Sequence, residues 1–205
     1  MNTTVCQITR GMAAAISIAD AVRRTATRSG KYELISGRPG AEAKNRAVEL
    51  ALGYGENLLL IEDDVLAEPA LWDAAFNLDP AAVAFAPAPC RSGEWNTVRN
   101  TKTGEVLFSG SVFLVIGLDV LRRMIEIAPL FEAYFFTNCG SSLTRRDPHP
   151  LGRASDVNFW WRLDQLSPKP RVIELPPVIH LSTPLNSGAV TLQDPIRIVP
   201  FEVKE

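Results

Sequence analysis

The sequence predicts an α/β fold, a three-layer α/β/α sandwich with a mostly parallel central sheet. Apolar segments of strand length alternate with segments of helical length through the first half of the chain. The apolar runs are continuous, which is typical of strands that are covered on both faces. Strands that alternate with helices form parallel sheets, because each helix carries the chain back to the start of the next strand.

The first half contains four predicted strands and three predicted helices in strict alternation. In order, the strands are "TTVCQIT", "YELISG", "NLLLIEDDV" and "AAVAFAPAP". The helices between them are "MAAAISIADAVRRTATRSG", "GRPGAEAKNRAVELALGYG" and "EPALWDAAFNL". A glycine ends the first helix, a proline lies in the first turn of the third, and the second has an apolar face of Ala43, Ala47, Leu50 and Ala51. This order predicts a Rossmann-like sheet.

The second half is less regular. It starts with a polar, turn-rich segment, predicted as a loop or a small hairpin, and continues with a strand, a turn and a helix in "LFSGSVFLVIGLDVLRRMIEIA". An irregular stretch precedes the helix "DVNFWWRLDQLS", and "RVIELPPVIHL" is predicted as the last strand. We expect a single domain over residues 1–205, with halves of about 1–90 and 91–185 and a tail at 186–205.

Composition excludes several classes of protein. The formal net charge is -2 and no long basic run occurs, so bulk charge does not favour binding to nucleic acid or anionic membranes. No apolar run approaches the roughly 18–20 residues that span a bilayer, and no secretory signal is expected at the start of the chain. The three cysteines, Cys6, Cys90 and Cys139, are odd in number and far apart, which favours reduced thiols in a cytoplasmic protein.

Three carboxylates, Glu62, Asp63 and Asp64, follow directly after the third apolar strand. Ligands bind beyond the carboxyl ends of strands in open α/β sheets, and this is where the three acids lie. Like charges so close together repel, but a divalent cation such as Mg²⁺ or Mn²⁺ makes the cluster favourable. The alternative is a solvated strand end whose acids cap the next helix or pair with arginine.

Two later residues strengthen the cation hypothesis. Asp156 opens the helix "DVNFWWRL", and His180 ends the last apolar segment. Taken alone, Asp156 is explained as a helix cap and His180 as a hydrogen-bonded structural residue. The ordered set of acidic triplet, later Asp before an aromatic helix, and strand ending in His is more specific than any part of it.

This ordered set resembles the GT-A-fold glycosyltransferases, in particular those similar to family 2. The resemblance covers about residues 3–185. It is best in "AKNRAVELALGYGENLLLIEDDV", "FSGSVFLVIGLDVLRRM" and "SDVNFWWRLDQLSPKPRVIELPPVIHL". It implies a GT-A-like fold whose first half binds the nucleotide and whose second half binds the acceptor. It also implies transfer of a sugar from a nucleotide-diphosphate sugar, with a divalent metal, Mn²⁺ or Mg²⁺, as cofactor.

The resemblance also implies roles for individual residues. Asp64 would bind the metal, with His180 completing the metal or diphosphate site, and Glu62 or Asp63 would hold the ribose or a metal-bound water. Asp156 would be the base toward the acceptor hydroxyl, as in inverting members. The nucleotide-sugar site would be completed by Thr9, Arg10, Asn45, Arg46, Gly110 and Ser111. From the residues alone, Arg46 is equally a partner of Glu42 or Glu49 on its helix, and "SGS" at 109–111 is equally a strand bend.

The chain departs from the family pattern at the nucleotide base. The family often has an Asp after the second strand that contacts uracil, whereas this chain has "ISGRPG", so a UDP-sugar is only the default donor. The acceptor is open between a protein, a glycan, a lipid-linked intermediate and a modified nucleobase. Residues proposed to contact it are Trp95, Arg145, Arg146, His149, Trp160 and Trp161. Trp160 and Trp161 are also expected to lie at least half in the core, because adjacent helix residues point in different directions.

Three other functions are alternatives to glycosyl transfer. A metal-dependent phosphohydrolase of the haloacid-dehalogenase kind needs a nucleophilic Asp where Glu62 stands. A nucleotidyltransferase needs a glycine-rich loop after the first strand, and "TRGMAAA" matches such a loop poorly. A catalytically inactive GT-A-fold protein that binds a nucleotide or glycan is favoured by Ser155, where the family often has an acid, and by the altered base loop.

Overall fold

The computed structural model describes residues 2–9, 15–38, 40–89, 95–127 and 155–181. Within them the strands are β1 Thr3–Ile8, β2 Lys31–Ile35, β3 Asn57–Glu62, β4 Val65–Leu66, β5 Ala82–Phe85, β6 Thr97–Arg99, β7 Val106–Ser109, β8 Phe113–Ile116, β9 Arg171–Glu174 and β10 Ile179–His180. The helices are α1 Ala15–Ala26, α2 Gly40–Tyr54, α3 Pro69–Phe76, α4 Leu118–Ile127 and α5 Ser155–Leu163. None of the helices in these ranges is long and apolar enough to cross a membrane.

The central sheet has six strands in the order β2-β1-β3-β8-β5-β9. β1 pairs in parallel with β2 and β3, and β5 pairs in parallel with β9. β8 runs antiparallel to both of its neighbours, β3 and β5. The predicted mostly parallel sheet is therefore confirmed, with one reversed strand inserted at its centre.

Each face of the sheet carries its own apolar core. Alternate residues of the strands point to opposite faces, so Leu58 and Leu60 of β3 belong to one cluster and Leu59 and Ile61 to the other. The first cluster includes buried residues of α2, α4 and α5, and the second includes residues of α1 and α3. The prediction of three α/β/α layers is confirmed, and the continuous apolar runs are explained by strands that are buried on both faces.

The second half of the chain differs from the sequence prediction in two places. The predicted last strand is two strands: β9 lies in the central sheet, whereas β10 pairs with β4. Pro176 and Pro177 separate them, and prolines cannot donate hydrogen bonds to a sheet. The segment "LFSGSVFLVIG" also forms two strands, because β7 pairs with β6 in the predicted small hairpin and β8 enters the central sheet.

Trp160 is a core residue rather than an acceptor contact. It is 4% exposed, packs edge-to-face on Phe85, and donates from Nε1 to the Ser109 carbonyl oxygen at 2.7 Å. Trp95 and Trp161 are half-buried. The proposed acceptor residues Arg145, Arg146 and His149, and the tail at 186–205, lie outside the described residues.

We predict opposite effects of alanine at two glycines. A Cβ at Gly117, between β8 and α4, would lie 2.1 Å from the Pro80 carbonyl oxygen, which also accepts the amides of Asp119 and Val120. Gly117→Ala should therefore lower the free energy of unfolding by about 1–3 kcal/mol or more. Apart from its chain neighbours and the backbone of its own helix, no described residue has an atom within 4 Å of the Cβ position of Gly53 in α2. Gly53→Ala should therefore raise that free energy by about 0.5–1 kcal/mol. Urea denaturation measures both, and a neutral Gly117→Ala would contradict the close contact.

Candidate functional site

The three predicted acids lie in a short turn between two strands. Glu62 is the last residue of β3, Asp63 and Asp64 form the turn, and β4 begins at Val65. β10 pairs antiparallel with β4, which places His180 opposite Val65. The Leu181 amide then donates to the Asp64 carbonyl oxygen at 2.6 Å. This small sheet brings the end of the described chain back to the acidic turn.

Glu62, Asp64 and His180 form one cluster of possible metal ligands. One ligand atom from each lies within 4.8 Å of the others, and His180 Nε2 is 3.2 Å from Asp64 Oδ2. Asp64 Oδ1 is buried without a hydrogen-bond partner among the described residues. A buried carboxylate oxygen that lacks a donor is unfavourable unless a cation occupies its vicinity. The cluster therefore fits a small divalent cation, and the imidazole favours Mn²⁺ over Mg²⁺.

A buried polar network holds the backbone of the acidic turn. Gln7 of β1 donates from Nε2 to Ser17 Oγ at 2.9 Å and to the Glu62 carbonyl oxygen at 3.3 Å. Ser17 donates in turn to the Val65 carbonyl oxygen at 2.7 Å, and Tyr32 donates to Gln7 Oε1 at 2.7 Å. The carbonyl groups on both sides of the turn are thus fixed to β1 and α1.

Two titratable groups next to this network are kept neutral. Burial, with a smaller contribution from Cys6, raises the pKa of Tyr32 from 10.0 to about 12, so its hydroxyl stays a donor at physiological pH. Burial also raises the pKa of the Cys6 thiol from 9.0 to about 12. A protonated, buried thiol is neither a nucleophile nor a metal ligand, so Cys6 is a core residue.

Asp156 forms a second cluster on α5. It makes an ion pair with Lys44 of α2, and it accepts a hydrogen bond from Ser111 Oγ at 2.9 Å. Lys44 Nζ also donates to Ser155 Oγ at 3.2 Å. The Asp156 side chain is 23% exposed, whereas that of Lys44 is 5% exposed. The carboxylate is thus held by buried groups on one side and faces solvent on the other.

The two clusters lie at the same edge of the sheet. The carboxyl ends of the parallel strands meet there, and β8 starts there because it runs in the opposite direction. The Glu62 amide donates to the Val112 carbonyl oxygen at 3.0 Å, and the preceding residue, Ser111, is the one that contacts Asp156. The short connection from β7 to β8 therefore links the acidic turn to the predicted base.

The positions of the other predicted site residues do not decide whether they bind a nucleotide. Thr9 follows β1 at the same edge and is buried, with its amide bonded to the Ile35 carbonyl oxygen at 3.0 Å. Asn45 is half-buried on α2. Arg46 is exposed and pairs with Glu49 at 2.9 Å, one of the two helix partners expected from the sequence. Their roles in nucleotide binding, and that of the half-buried Asp63, stay predictions.

Gly110 and Arg10 complete the predicted set. The Cβ position of Gly110 lies 2.7 Å from Asn96 Nδ2, and its amide donates to the Asn96 carbonyl oxygen at 2.9 Å. Gly110 thus packs closely against Asn96, and contact with a donor sugar stays a prediction. Arg10 lies outside the described residues.

The sequence analysis missed Lys44, Gln7 and Ser17. A signal for Lys44 was present: it lies between Ala41 and Val48 at helical spacing, on the buried face of α2. A charged residue inside an apolar stripe needs a buried partner. Gln7 likewise interrupts a fully buried strand. No sequence signal identified Ser17 as its partner, because the contact depends on how α1 packs on β1.

Comparisons with known proteins bear on the fold. No protein-family model matches the sequence, and no curated protein is similar to it. A197 from STIV, a solved structure, aligns with a TM-score of 0.55 and 16% identity over 89% of this chain and 87% of its own. The two proteins share a fold. A glycosyltransferase involved in the glycosylation of the major capsid of PBCV-1 aligns with a TM-score of 0.47 and 11% identity, over 86% of this chain and 83% of its own.

We predict that removing the Tyr32 hydroxyl destabilises the protein in a pH-dependent manner. Tyr32→Phe leaves Gln7 Oε1 without the Tyr32 donor and should lower the free energy of unfolding by about 1 kcal/mol at pH 7. Because the folded-state pKa of Tyr32 is raised, this contribution is complete below pH 10.0 and is lost as the pH rises through about 12. The difference between wild type and variant, measured by urea denaturation from pH 7 to 12, should therefore shrink. A difference that stays constant over this pH range would contradict the bond.

Proposed function

We propose that this protein is a metal-dependent glycosyltransferase that transfers a sugar from a nucleotide-diphosphate sugar to an acceptor hydroxyl. The observation that carries the proposal is the cluster of Glu62, Asp64 and His180 at the carboxyl edge of the sheet. The segment between β7 and β8 links this cluster to Asp156, because it hydrogen-bonds to both Glu62 and Asp156. Substrates bind at this edge in open α/β sheets. The sequence resemblance to GT-A-fold enzymes of family 2 gives the reaction class, and a UDP-sugar remains the default donor.

Glu62, Asp64 and His180 are the residues that would hold the cation. The pair of carboxylates supplies negative charge, and the buried Asp64 Oδ1 provides a ligand atom without a competing donor from the described residues. When bound, the cation neutralises the negative charge that develops on the departing diphosphate. The turn itself stays in place during the reaction because Gln7 and Ser17 hold its carbonyl groups.

Asp156 is the proposed base toward the acceptor. Lys44 and Ser111 both contact its Oδ1, and Oδ2 accepts no hydrogen bond from the described residues. An acceptor hydroxyl at Oδ2 would lose its proton to this oxygen as the hydroxyl oxygen attacks the anomeric carbon and the bond to the diphosphate breaks. Attack from the face opposite the diphosphate would invert the anomeric configuration.

We predict that the acidic turn makes nucleotide binding depend on metal. Mn²⁺ with the correct nucleotide-sugar should raise the melting temperature of the wild type, because a ligand that binds only the folded state stabilises it. Asp64→Asn should weaken Mn²⁺ binding by about 100-fold or more, since loss of even an outer-shell partner typically weakens it about 10- to 100-fold. Calorimetric titration with Mn²⁺ measures the affinity directly.

Asp164→Asn is the matched control for this experiment. Asp164 pairs with Lys169 at 3.0 Å on the surface, with 64% of its side chain exposed, so its variant should bind Mn²⁺ like the wild type. Equal Mn²⁺ affinity of Asp64→Asn and wild type would refute the metal site. Nucleotide binding without any effect of metal would favour the inactive binding protein instead.

We predict that Asp156→Asn separates binding from turnover. The variant should keep the Mn²⁺-dependent binding of the donor and lose turnover by about 10²- to 10⁴-fold, the usual contribution of a general base. Release of nucleoside diphosphate from the donor, with and without candidate acceptors, measures turnover. Full turnover in Asp156→Asn would show that Asp156 is not the base but a residue at the start of a helix that pairs with lysine.

A further inference from the structure

We propose that Lys44 is a positioning residue that holds Asp156 through Oδ1 and so directs Oδ2 toward the acceptor. The proposal rests on the proposed function, since it assigns Lys44 a role in the same reaction. Lys44 is not a ligand of the acidic cluster and was not among the predicted site residues.

Burial of Lys44 is not explained by packing. The residue is 4% exposed on a face of α2 whose other buried members are apolar, among them Ala43, Ala47 and Val48. Moving an ammonium group out of water is unfavourable, and replacing a buried ion pair by apolar residues is often neutral or stabilising. A lysine in this position is therefore best explained by what its amino group does to its partner.

The contacts of Asp156 converge on a single oxygen. Lys44 Nζ reaches Oδ1 from α2, and Ser111 Oγ donates to the same atom at 2.9 Å from the connection between β7 and β8. Donors from two directions on one oxygen fix the orientation of the carboxylate plane. The Asp156 side chain is 23% exposed, so solvent and a substrate can reach it. This is the arrangement that a base needs when it must meet a substrate in one geometry.

The same ion pair joins two parts of the chain that are distant in sequence. Lys44 and Asp156 are 112 residues apart, on α2 and α5. α2 and α5 pack on the same face of the sheet whose β3 carries the acidic turn. Lys44 therefore sets the position of the base relative to the cation ligands. Without this ion pair, the Asp156 carboxylate would be held less firmly in that position.

The test compares Lys44→Met and Lys44→Arg with wild type and with Lys31→Met. Lys44→Met keeps the length of the side chain and removes its charge, so kcat should fall by about 10- to 100-fold while the donor KM and the Mn²⁺ affinity stay unchanged. Lys44→Arg restores the charge and should recover part of kcat. Lys31, at the start of β2, pairs at 2.7 Å with Glu56, which lies between α2 and β3 at the other end of β3 from the acidic turn. Lys31→Met should therefore leave kcat unchanged.

A double-mutant cycle measures the coupling free energy between Lys44 and Asp156 without relying on activity. The destabilisation by Lys44→Met and Asp156→Asn should be strongly non-additive in urea denaturation, because either substitution alone breaks the same contact. Additive effects, or a kcat of Lys44→Met equal to that of an active wild type, would overturn the role of Lys44 alone. A wild type that binds Mn²⁺ and donor but shows no turnover would instead overturn the proposed function, and the positioning role with it.

Discussion

The candidate site depends on two carboxylates that the fold holds close together against their mutual repulsion. Glu62 and Asp64 lie close enough to share a cation with His180, and without one their charges oppose each other. The fold resists this repulsion through hydrogen bonds to the backbone of the turn and through the contact of His180 with Asp64. Gln7 of β1, Ser17 of α1 and Leu181 after β10 donate hydrogen bonds to carbonyl groups in or beside the turn. The Glu62 amide donates to the carbonyl oxygen of Val112, just before β8. Asp64 Oδ1 keeps no hydrogen-bond partner among the described residues, which suits it to a cation.

The reversed strand β8 connects this turn to the rest of the candidate site. Because β8 runs antiparallel to β3, its first residues lie at the carboxyl edge, where the parallel strands end. Val112 bonds the backbone of Glu62, and Ser111 bonds the side chain of Asp156. Lys44 holds the same carboxylate from α2. Cation ligands and base are therefore supported by a common set of elements, although they come from distant parts of the chain.

Sequence and structure agree best where burial alone decides the outcome. The continuous apolar runs of β1, β3 and β5 correctly predicted strands covered on both faces, and the alternation with helices correctly predicted parallel pairing. The sequence did not predict the direction of "FLVI", because an apolar run looks the same in either direction, and β8 is antiparallel. The prediction of one strand was wrong for "RVIELPPVIHL", where two prolines divide strands of different sheets.

By itself, the sequence determined the layers of the fold and the positions of Glu62, Asp64, Asp156 and His180 as chemically unusual residues. These features are local, since an acid after an apolar strand or before an aromatic helix can be seen in a short window. The tertiary structure alone decided that His180 meets Asp64, that Asp156 is held by Lys44 and Ser111, and that Gln7 and Ser17 brace the turn. These contacts join residues from separate elements, and their geometry follows from strand order, strand direction and helix packing, which no short window of sequence contains.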